Sequence, residues 1–167
     1  MAEQDLYQDI IDNQKTESKV SQEEKKISTW LVFKSEESVY AIESVYIKEI
    51  LNNNDIFAIP FMPSYISGVL NFYGKPYAVI DFQSFLNSTK TSKKMFMILD
   101  TDDDVAIQIS DVIDFYNSNE VVLQPITNNT DNDNFSQALV SIREDLRAPV
   151  LNVNSIIKKV KKEIDSV

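Results

Sequence analysis

The chain has 167 residues, 43% of them hydrophobic, and a formal net charge of −10, so one domain, or two small halves around connected cores, can fold without a metal or disulfide. It contains neither cysteine nor histidine, which excludes disulfides, thiolate nucleophiles, Cys/His zinc sites and imidazole acid–base chemistry. The acidic balance argues against nucleic acid and anionic membranes as partners, and no apolar run reaches the ~18 residues of a transmembrane helix.

The first 27 residues are polar and acidic, with one short apolar pattern at helical spacing: Leu6, Ile10 and Ile11. This composition predicts a helical extension that frays, or a disordered one. The opening residues Met1–Asp5 lack the charged-then-apolar order of a signal peptide, so a cytoplasmic location is expected.

Short β-type runs begin at Thr29. Trp30–Phe33 and Val39–Ile42 flank the polar segment Ser35–Ser38, which predicts a hairpin. The first half, about residues 28–90, continues apolar with Val45, Ile47 and Ile50. It is then predicted to contain a helical turn entering a strand over Ser64–Leu70, a buried strand Tyr77–Ile80, and a helical turn with Phe82, Phe85 and Leu86.

The pattern restarts at Met95, after a polar connector. The second half, about residues 91–157, repeats apolar segments of the first half in the same order, which predicts an internal duplication. The matched segments are Trp30–Phe33 with Met95–Ile98, Ala41–Glu43 with Ala106–Gln108 and Pro60 with Pro125, all shifted by 65, and Val79–Leu86 with Val150–Ile157, shifted by 71.

The change of shift places an insertion of six residues between Pro125 and Val150. The polar loop Thr127–Asn134 is the expected place for it, and such a loop is expected to be mobile.

A mainly β fold is therefore predicted, with two pseudo-repeated subdomains of about five short strands each. Small closed barrels suit such strands because closure removes exposed sheet edges. A helix is predicted over residues 155–167, where apolar residues recur at helical spacing and lysines form the opposite, solvated face.

Gly68 and Gly74 are the only glycines of the chain and lie six residues apart. Glycine serves backbones with positive φ and places where another backbone or a partner approaches closely. Two tight turns around a short strand are the simpler interpretation, with Phe72 in the core and Tyr73 on the surface. The alternative is a protein contact made by this segment, including Asn71. The contact is favoured because the second half has no glycine at the matching positions.

No arrangement of residues indicates catalysis, a cofactor or a bound metal. Asp100–Asp104 has the alternating acids of a calcium loop, but Val105 and Asp111 stand where glycine and glutamate are required, so a hairpin turn is predicted. A small-molecule-binding or enzymatic barrel is the least favoured alternative, and it would depend on carboxylates such as Glu49, Asp81 and Asp114.

One further pattern spans the chain from Trp30 to Ile157. Its most specific stretch is the Gly-Val-x-Asn-x-x-Gly segment that ends at Gly74, followed by the apolar pair and aspartate of Val79–Asp81. The other segments are Leu31–Phe33, Tyr40–Glu43, Ile47–Ile50 and Ile59–Pro63. In this order the segments resemble the CheW-like coupling proteins of bacterial chemotaxis.

The resemblance implies a non-enzymatic adaptor, folded as two five-stranded SH3-like β-barrels in a CheW-like domain over residues 28–160. Family members bridge the cytoplasmic tips of methyl-accepting chemoreceptors and the regulatory domain of the histidine kinase CheA. Both are therefore expected partners, together with other CheW-like domains, and neither nucleic acid nor direct membrane insertion is expected. By position, the implied interaction residues are Ile47 and Glu49, Gly68 and Tyr73 near kinase or receptor contacts, and Val112 in the groove between the halves where receptors dock.

Tyr73 is the main departure from the family, which usually has arginine there. The two side chains differ in charge and hydrogen-bonding geometry, so a divergent module that competes in or modifies the receptor array is the alternative function. If the glycine segment contacts a partner, Gly68→Glu is expected to abolish one of the two interactions, with the CheA regulatory domain or with a receptor tip, while leaving the thermal transition nearly unchanged.

Overall fold

The computed structural model describes residues 28–52, 54–92, 95–126, 135–142 and 145–166. The predicted N-terminal extension and the predicted loop Thr127–Asn134 lie outside these residues. The strands of the first half are β1 Thr29–Ser35, β2 Ser38–Glu43, β3 Ile47–Asn52, β4 Ile66–Phe72 and β5 Lys75–Asp81, with a 3-10 turn Ser44–Tyr46 and helix α1 Phe82–Asn87. Those of the second half are β6 Met95–Leu99, β7 Val105–Ile109, β8 Asp111–Asn117, β9 Val121–Pro125, β10 Ser136–Ile142 and β11 Leu146–Leu151, followed by helix α2 Val153–Ile164.

The predicted hairpins are confirmed. β1 pairs antiparallel with β2, and β6 pairs antiparallel with β7 across the acidic turn that follows Leu99. Over Ser64–Leu70 the predicted strand is confirmed as β4, but the helical turn predicted to precede it is wrong, because the turn before Ile66 is not helical.

The sheets do not follow the two halves of the sequence. The six-stranded sheet has the order β8-β1-β2-β11-β10-β9, and the five-stranded sheet has the order β3-β6-β7-β5-β4. Each sheet therefore joins the first hairpin of one half to later strands of the other half, through the parallel pairs β2–β11 and β5–β7. The boundary near residue 90 divides the sequence repeat but not the sheets.

The pairing registers reproduce the duplication residue by residue. β3 and β8 each carry a bulge, at Lys48 and at Ile113, and β4 and β10 each carry one, at Ser67 and Gln137. The numbers of equivalent residues therefore differ by 65 between β3 and β8, and by 70 between β4 and β10.

The predicted six-residue insertion is distributed over three connections. Phe57 pairs with Val69 in the first half as Gln124 pairs with Leu139 in the second, a shift of 67 at β9. Relative to the first half, the second half therefore has two extra residues before β9, three between β9 and β10, and one in the turn between β10 and β11. The sequence match of Pro60 with Pro125 is not a structural equivalence.

Three apolar clusters of described residues hold the sheets together: one within each sheet, and a third between the sheets that includes residues of both helices. β1 supplies Trp30 and Val32 to the cluster within the six-stranded sheet, and Leu31 and Phe33 to the cluster between the sheets. Both faces of the strand are thus buried, which explains why its apolar run is continuous rather than alternating.

Both helices begin at equivalent caps. The Asp81 carboxylate accepts a hydrogen bond from the Ser84 N–H, and the Asn152 side chain accepts one from the Ser155 N–H, each at 3.1 Å. α2 begins at Val153, two residues before the predicted start, and its apolar face packs into the cluster between the sheets.

α2 is also anchored by its polar residues. The Tyr65 hydroxyl donates to Glu163 at 2.6 Å, and Lys161 forms an ion pair with Asp103. Lys159 lies over the ring of Phe135, 5.0 Å from its centroid. The lysine face predicted to be solvated is therefore partly used within the fold, although Lys158 and Lys162 are exposed.

Candidate functional site

Strands β4 and β5 are joined by a two-residue turn, Tyr73-Gly74. Both residues have positive φ, 49° and 83°, as in a type I′ turn, whose twist matches that of the flanking strands. The Asn71 side chain accepts a hydrogen bond from the Gly74 N–H at 2.7 Å. Gly74 and Asn71 therefore build the turn.

Gly68 lies inside β4, not in a turn, and is buried. Its φ is 143°, and a Cβ atom there would lie 2.7 Å from the Cγ2 of Ile56 and 2.8 Å from the carbonyl carbon of Phe57. Phe57 is held at this position because its N–H and C=O both pair with Val69, each at 2.8 Å. The expectation that Gly68→Glu leaves stability unchanged is therefore wrong, since any side chain here must displace backbone.

The second half shows why only one copy needs this glycine. Ala138 occupies the register position of Gly68, opposite Val150 as Gly68 is opposite Val79. Its outer neighbour is β9, which pairs with β10 along its whole length, whereas the described part of the loop between β3 and β4 pairs with β4 only through an isolated bridge at Phe57. Gly68 thus marks a contact peculiar to the first half, and that contact is intramolecular.

Phe72 belongs to the core and Tyr73 to the surface. Phe72 is buried, and the Nζ of Lys48 on β3 lies 5.9 Å from its ring centroid, which brings the two edge strands of the five-stranded sheet together. Tyr73 is 86% exposed, with its ring edge-on to Phe72 at 4.6 Å. Beside it, Lys75 bonds Asp104 at 2.6 Å, which raises the pKa of Lys75.

The remaining predicted site residues lie on β3 and β8. Ile47 is opposite Leu99, Val112 is opposite Phe33, and both pack against the cluster between the sheets. Glu49 is half-buried on β3. Of the eight predicted site residues, five lie in the glycine hairpin and its strand β4, and the other three lie on β3 and β8, which belong to different sheets.

The predicted site residues omit the exposed apolar residues of the loop between β3 and β4. Phe61 is 88% exposed and has a φ of 64°, a conformation that bulky residues rarely adopt. Tyr73 shares both properties, and strained residues of this kind cluster at functional sites. One feature of the sequence could have indicated these residues. The residues between Pro60 and Pro63 are apolar, although the two prolines prevent regular strand pairing there.

The exposed apolar residues along β4 are Tyr73 at its hairpin end and Phe57, Ile59 and Phe61 in the preceding loop, which runs away from Tyr73 because Phe57 pairs antiparallel with Val69. Together they are called the hairpin–loop surface.

A second exposed apolar surface was also missed. β8 and β9 are the two edges of the six-stranded sheet, and Phe115 on β8 and Val122 on β9 are 49% and 62% exposed. The β8–β9 surface is defined as Ile113, Phe115, Val122 and Leu123. Contiguous exposed apolar patches on folded proteins commonly mark interaction sites.

The carboxylates of the alternative enzymatic interpretation are not brought together. Asp81 is buried and accepts bonds from both the N–H and the hydroxyl of Thr91 in addition to its helix cap. Asp114 lies on the other sheet from Glu49 and accepts from the N–H of the next residue. No group of three or more metal-ligating side chains occurs among the described residues.

Within the described ranges, no helix has the length and apolarity needed to cross a membrane.

Comparison with known proteins identifies the architecture. The family model of the CheW-like domain matches residues 29–161. The scaffolding protein TtCheW from Thermoanaerobacter tengcongensis superposes with a TM-score of 0.64 at 20% sequence identity, over 76% of this chain and 90% of that chain. No curated protein sequence matches the chain significantly. The structural match shows the predicted fold of two SH3-like β subdomains.

Proposed function

The chain belongs to the family of CheW-like domains, and from this premise we propose that it is a non-enzymatic cytoplasmic adaptor of a chemotaxis array. In this function it couples methyl-accepting chemoreceptors to the histidine kinase CheA. Its partners are the cytoplasmic tip of the receptors, the regulatory domain of CheA and other CheW-like domains, and it reaches the membrane-associated array only through them.

The observation that carries this proposal is the presence of two separate exposed apolar surfaces on two different sheets. The hairpin–loop surface follows β4 of the five-stranded sheet, and the β8–β9 surface lies on the edges of the six-stranded sheet. An adaptor must bind two partners at once, and two surfaces held by one rigid core meet that requirement. Exposed aromatic residues such as Phe61 and Tyr73 are the residue types that dominate binding energy at protein interfaces.

The predicted site residues divide between contact and support in this proposal. Tyr73 contacts the kinase or another CheW-like domain directly. Gly68 and Phe72 are buried, and they act by fixing the shape of the hairpin together with Asn71 and Gly74. The border of the cluster between the sheets, with Ile47, Glu49 and Val112, is the proposed groove for the receptor.

Calorimetric titration of the purified chain with the CheA regulatory domain and with a receptor-tip fragment tests the proposal. Tyr73→Ser should weaken binding of one partner by about thirtyfold, the equivalent of a 2 kcal/mol hot spot, and leave the other unchanged. Val45→Ser is the matched control, because Val45 is an exposed apolar residue outside both surfaces. Failure of the unmodified chain to bind either partner at micromolar concentration would refute the adaptor function.

Tyr73 itself favours a second candidate, a divergent module that competes in or modifies the array. An exposed tyrosine cannot reproduce the bidentate contacts of the arginine usual in the family. The same titrations separate the two functions, since a competitor binds one partner and blocks the other rather than joining both.

A further inference from the structure

The two helices of the repeat differ in length, and the last part of α2 has no counterpart in the first half. Asp81 and Asn152 are equivalent caps, so α1, which ends at Asn87, corresponds to α2 only as far as Lys158. α2 continues to Ile164. The contacts made by this extra part of α2 therefore belong to the longer helix alone.

Tyr65 and Phe135 occupy equivalent places in the two copies, directly before β4 and β10. The carbonyl oxygen of each accepts a hydrogen bond from the N–H of the next helix cap, at 2.8 Å from Asp81 and at 2.7 Å from Asn152. The Phe85 ring of α1 contacts both, with its centroid 5.2 Å from that of Tyr65 and 4.8 Å from that of Phe135. Tyr65, Phe85 and Phe135 together are called the aromatic junction.

The extra part of α2 holds the aromatic junction through two side chains. The Nζ of Lys159 lies 5.4 Å from the ring centroid of Phe85 and 5.0 Å from that of Phe135. One turn later, Glu163 accepts a hydrogen bond from the Tyr65 hydroxyl at 2.6 Å, and its other carboxylate oxygen lies 3.9 Å from Lys159. Phenylalanine has no hydroxyl, so only the first-half side of the junction gains this bond, which is of the strong, charge-assisted kind.

The loop that ends at Tyr65 carries the exposed residues Phe57, Ile59 and Phe61 of the hairpin–loop surface. Phe57 is fixed by its two hydrogen bonds with Val69, and Tyr65 by its ring, carbonyl and hydroxyl contacts. Phe61 lies midway between these two fixed points, 88% exposed and with a φ of 64°. A strained residue persists only where the surrounding structure imposes its conformation, and Tyr65 is one of the two attachments that do so.

We propose that Tyr65 and Glu163 are positioning residues for Phe61. Their bond ties the loop of the first half to the helix that ends the second half, and it holds the Phe61 ring where a partner meets it. The consequence for binding rests on the proposed adaptor function. The affinity for that partner is then set partly by the last turn of α2, through the loop rather than by direct contact.

Hydrogen exchange in the full chain, without a partner, tests the positioning step. Tyr65→Phe keeps the ring and removes only the hydroxyl. The reporters are the amides of Ile66 and Asp81, which donate to the carbonyl oxygens of Pro63 and Tyr65 at the end of the loop. Their exchange should rise about tenfold, the effect of one hydrogen bond to a charged group, while the amides of β1 change less.

Three variants of α2 separate this bond from a general effect on the helix. Glu163→Gln retains an oxygen that can accept from the hydroxyl and should keep most of the protection, whereas Glu163→Ala should behave like Tyr65→Phe. Lys161→Ala is the matched control, because it removes another contact of the extra part of α2, the ion pair with Asp103. It should leave both reporter amides unchanged.

Titration with the partner that Phe61→Ser weakens tests the consequence for binding. Tyr65→Phe should weaken the same partner by up to about tenfold, the limit set by its effect on the loop. The combined variant should bind little more weakly than Phe61→Ser alone, because the position of the loop matters less once the ring is absent.

Unchanged exchange at the reporter amides in Tyr65→Phe, or an equal rise in Lys161→Ala, would overturn the positioning role. Full additivity of Tyr65→Phe and Phe61→Ser in binding, or no weakening by Tyr65→Phe, would show that the bond does not act through Phe61. If the unmodified chain binds neither the CheA regulatory domain nor a receptor tip, the adaptor function fails, while the exchange experiment still decides whether α2 positions the loop.

Discussion

Replacing Gly68 by alanine should destabilise the fold far more than the addition of one methyl group to a protein surface. The new Cβ atom falls within contact distance of the Phe57 carbonyl, so the backbone of that residue must move and its two hydrogen bonds with Val69 must lengthen or break. Backbone strain at a φ of 143° contributes about 1–3 kcal/mol, and each hydrogen bond about 0.5–1.5 kcal/mol. We expect a loss of roughly 2–6 kcal/mol in the free energy of unfolding, or about 5–20 °C in Tm.

Urea denaturation of Gly68→Ala, with Gly74→Ala as the matched control, measures this effect. Gly74 also has positive φ, but a Cβ atom there meets nothing within 4 Å, so only the backbone cost of about 1 kcal/mol applies. Hydrogen exchange should localise the damage, with loss of protection at the amides of Phe57 and Val69 in the first variant alone. Adding Ile56→Ala should rescue little, because backbone remains in the way. Equal destabilisation by the two variants, with unchanged exchange at both amides, would refute the steric explanation.

Three further predictions concern the turn, a helix cap and α2. Tyr73→Asn should destabilise the fold less than Tyr73→Ala in urea, because both variants lose the ring contact with Phe72 but asparagine tolerates positive φ better than alanine, and both should weaken the partner that contacts the tyrosine; equal stability of the two variants would contradict the strain. Asp81→Ala should lower the free energy of unfolding by about 3 kcal/mol and Asn152→Ala by about 1 kcal/mol, because only Asp81 also accepts two hydrogen bonds from Thr91 in the following connector. Equal losses would show that those two bonds do not stabilise the fold. Burial and the bond to Glu163 raise the pKa of Tyr65 above its ordinary value of 10.0, so its contribution to stability is complete below about pH 10 and is lost above it as the phenol ionises. Wild type should therefore lose stability above about pH 10 more steeply than Tyr65→Phe, and parallel pH profiles would count against this linkage.

The local elements could be predicted because their signals are local. Trp30–Phe33 and Met95–Ile98 are continuous apolar runs between polar turns, and each is a strand with both faces buried. The duplication could be found because the shift is constant within each matched pair of strands. The exchange of hairpins between the sheets could not be found, since an apolar pattern determines which faces are buried and not which strand lies alongside.

The site was harder to predict because its decisive contacts are not local. Gly68 and Phe57 meet through a loop that carries no pairing signal, so the glycine pattern indicated a close approach without indicating the partner. Phe61 lies in the same loop. Its exposure depends on a positive φ, which is rare for phenylalanine and more common for glycine and asparagine, so it could not be expected from the residue type.

The two copies of the repeat keep their pairing and differ in what their edges expose. Gly68 and Ala138 occupy one register position, as do Lys48 and Ile113, and in each case the strand register is the same on both sides of the difference. The exchange of Lys48 for Ile113 changes the outer surface of an edge strand without entering the clusters that hold the sheets together, whereas Ala138 belongs to the cluster within the six-stranded sheet. A duplicated fold can therefore acquire two unlike binding surfaces at little cost in stability, which is the property that an adaptor requires. The exception is Gly68, where the edge of the first copy is fixed by its own loop, and it is there that a single methyl group should affect both the fold and the surface.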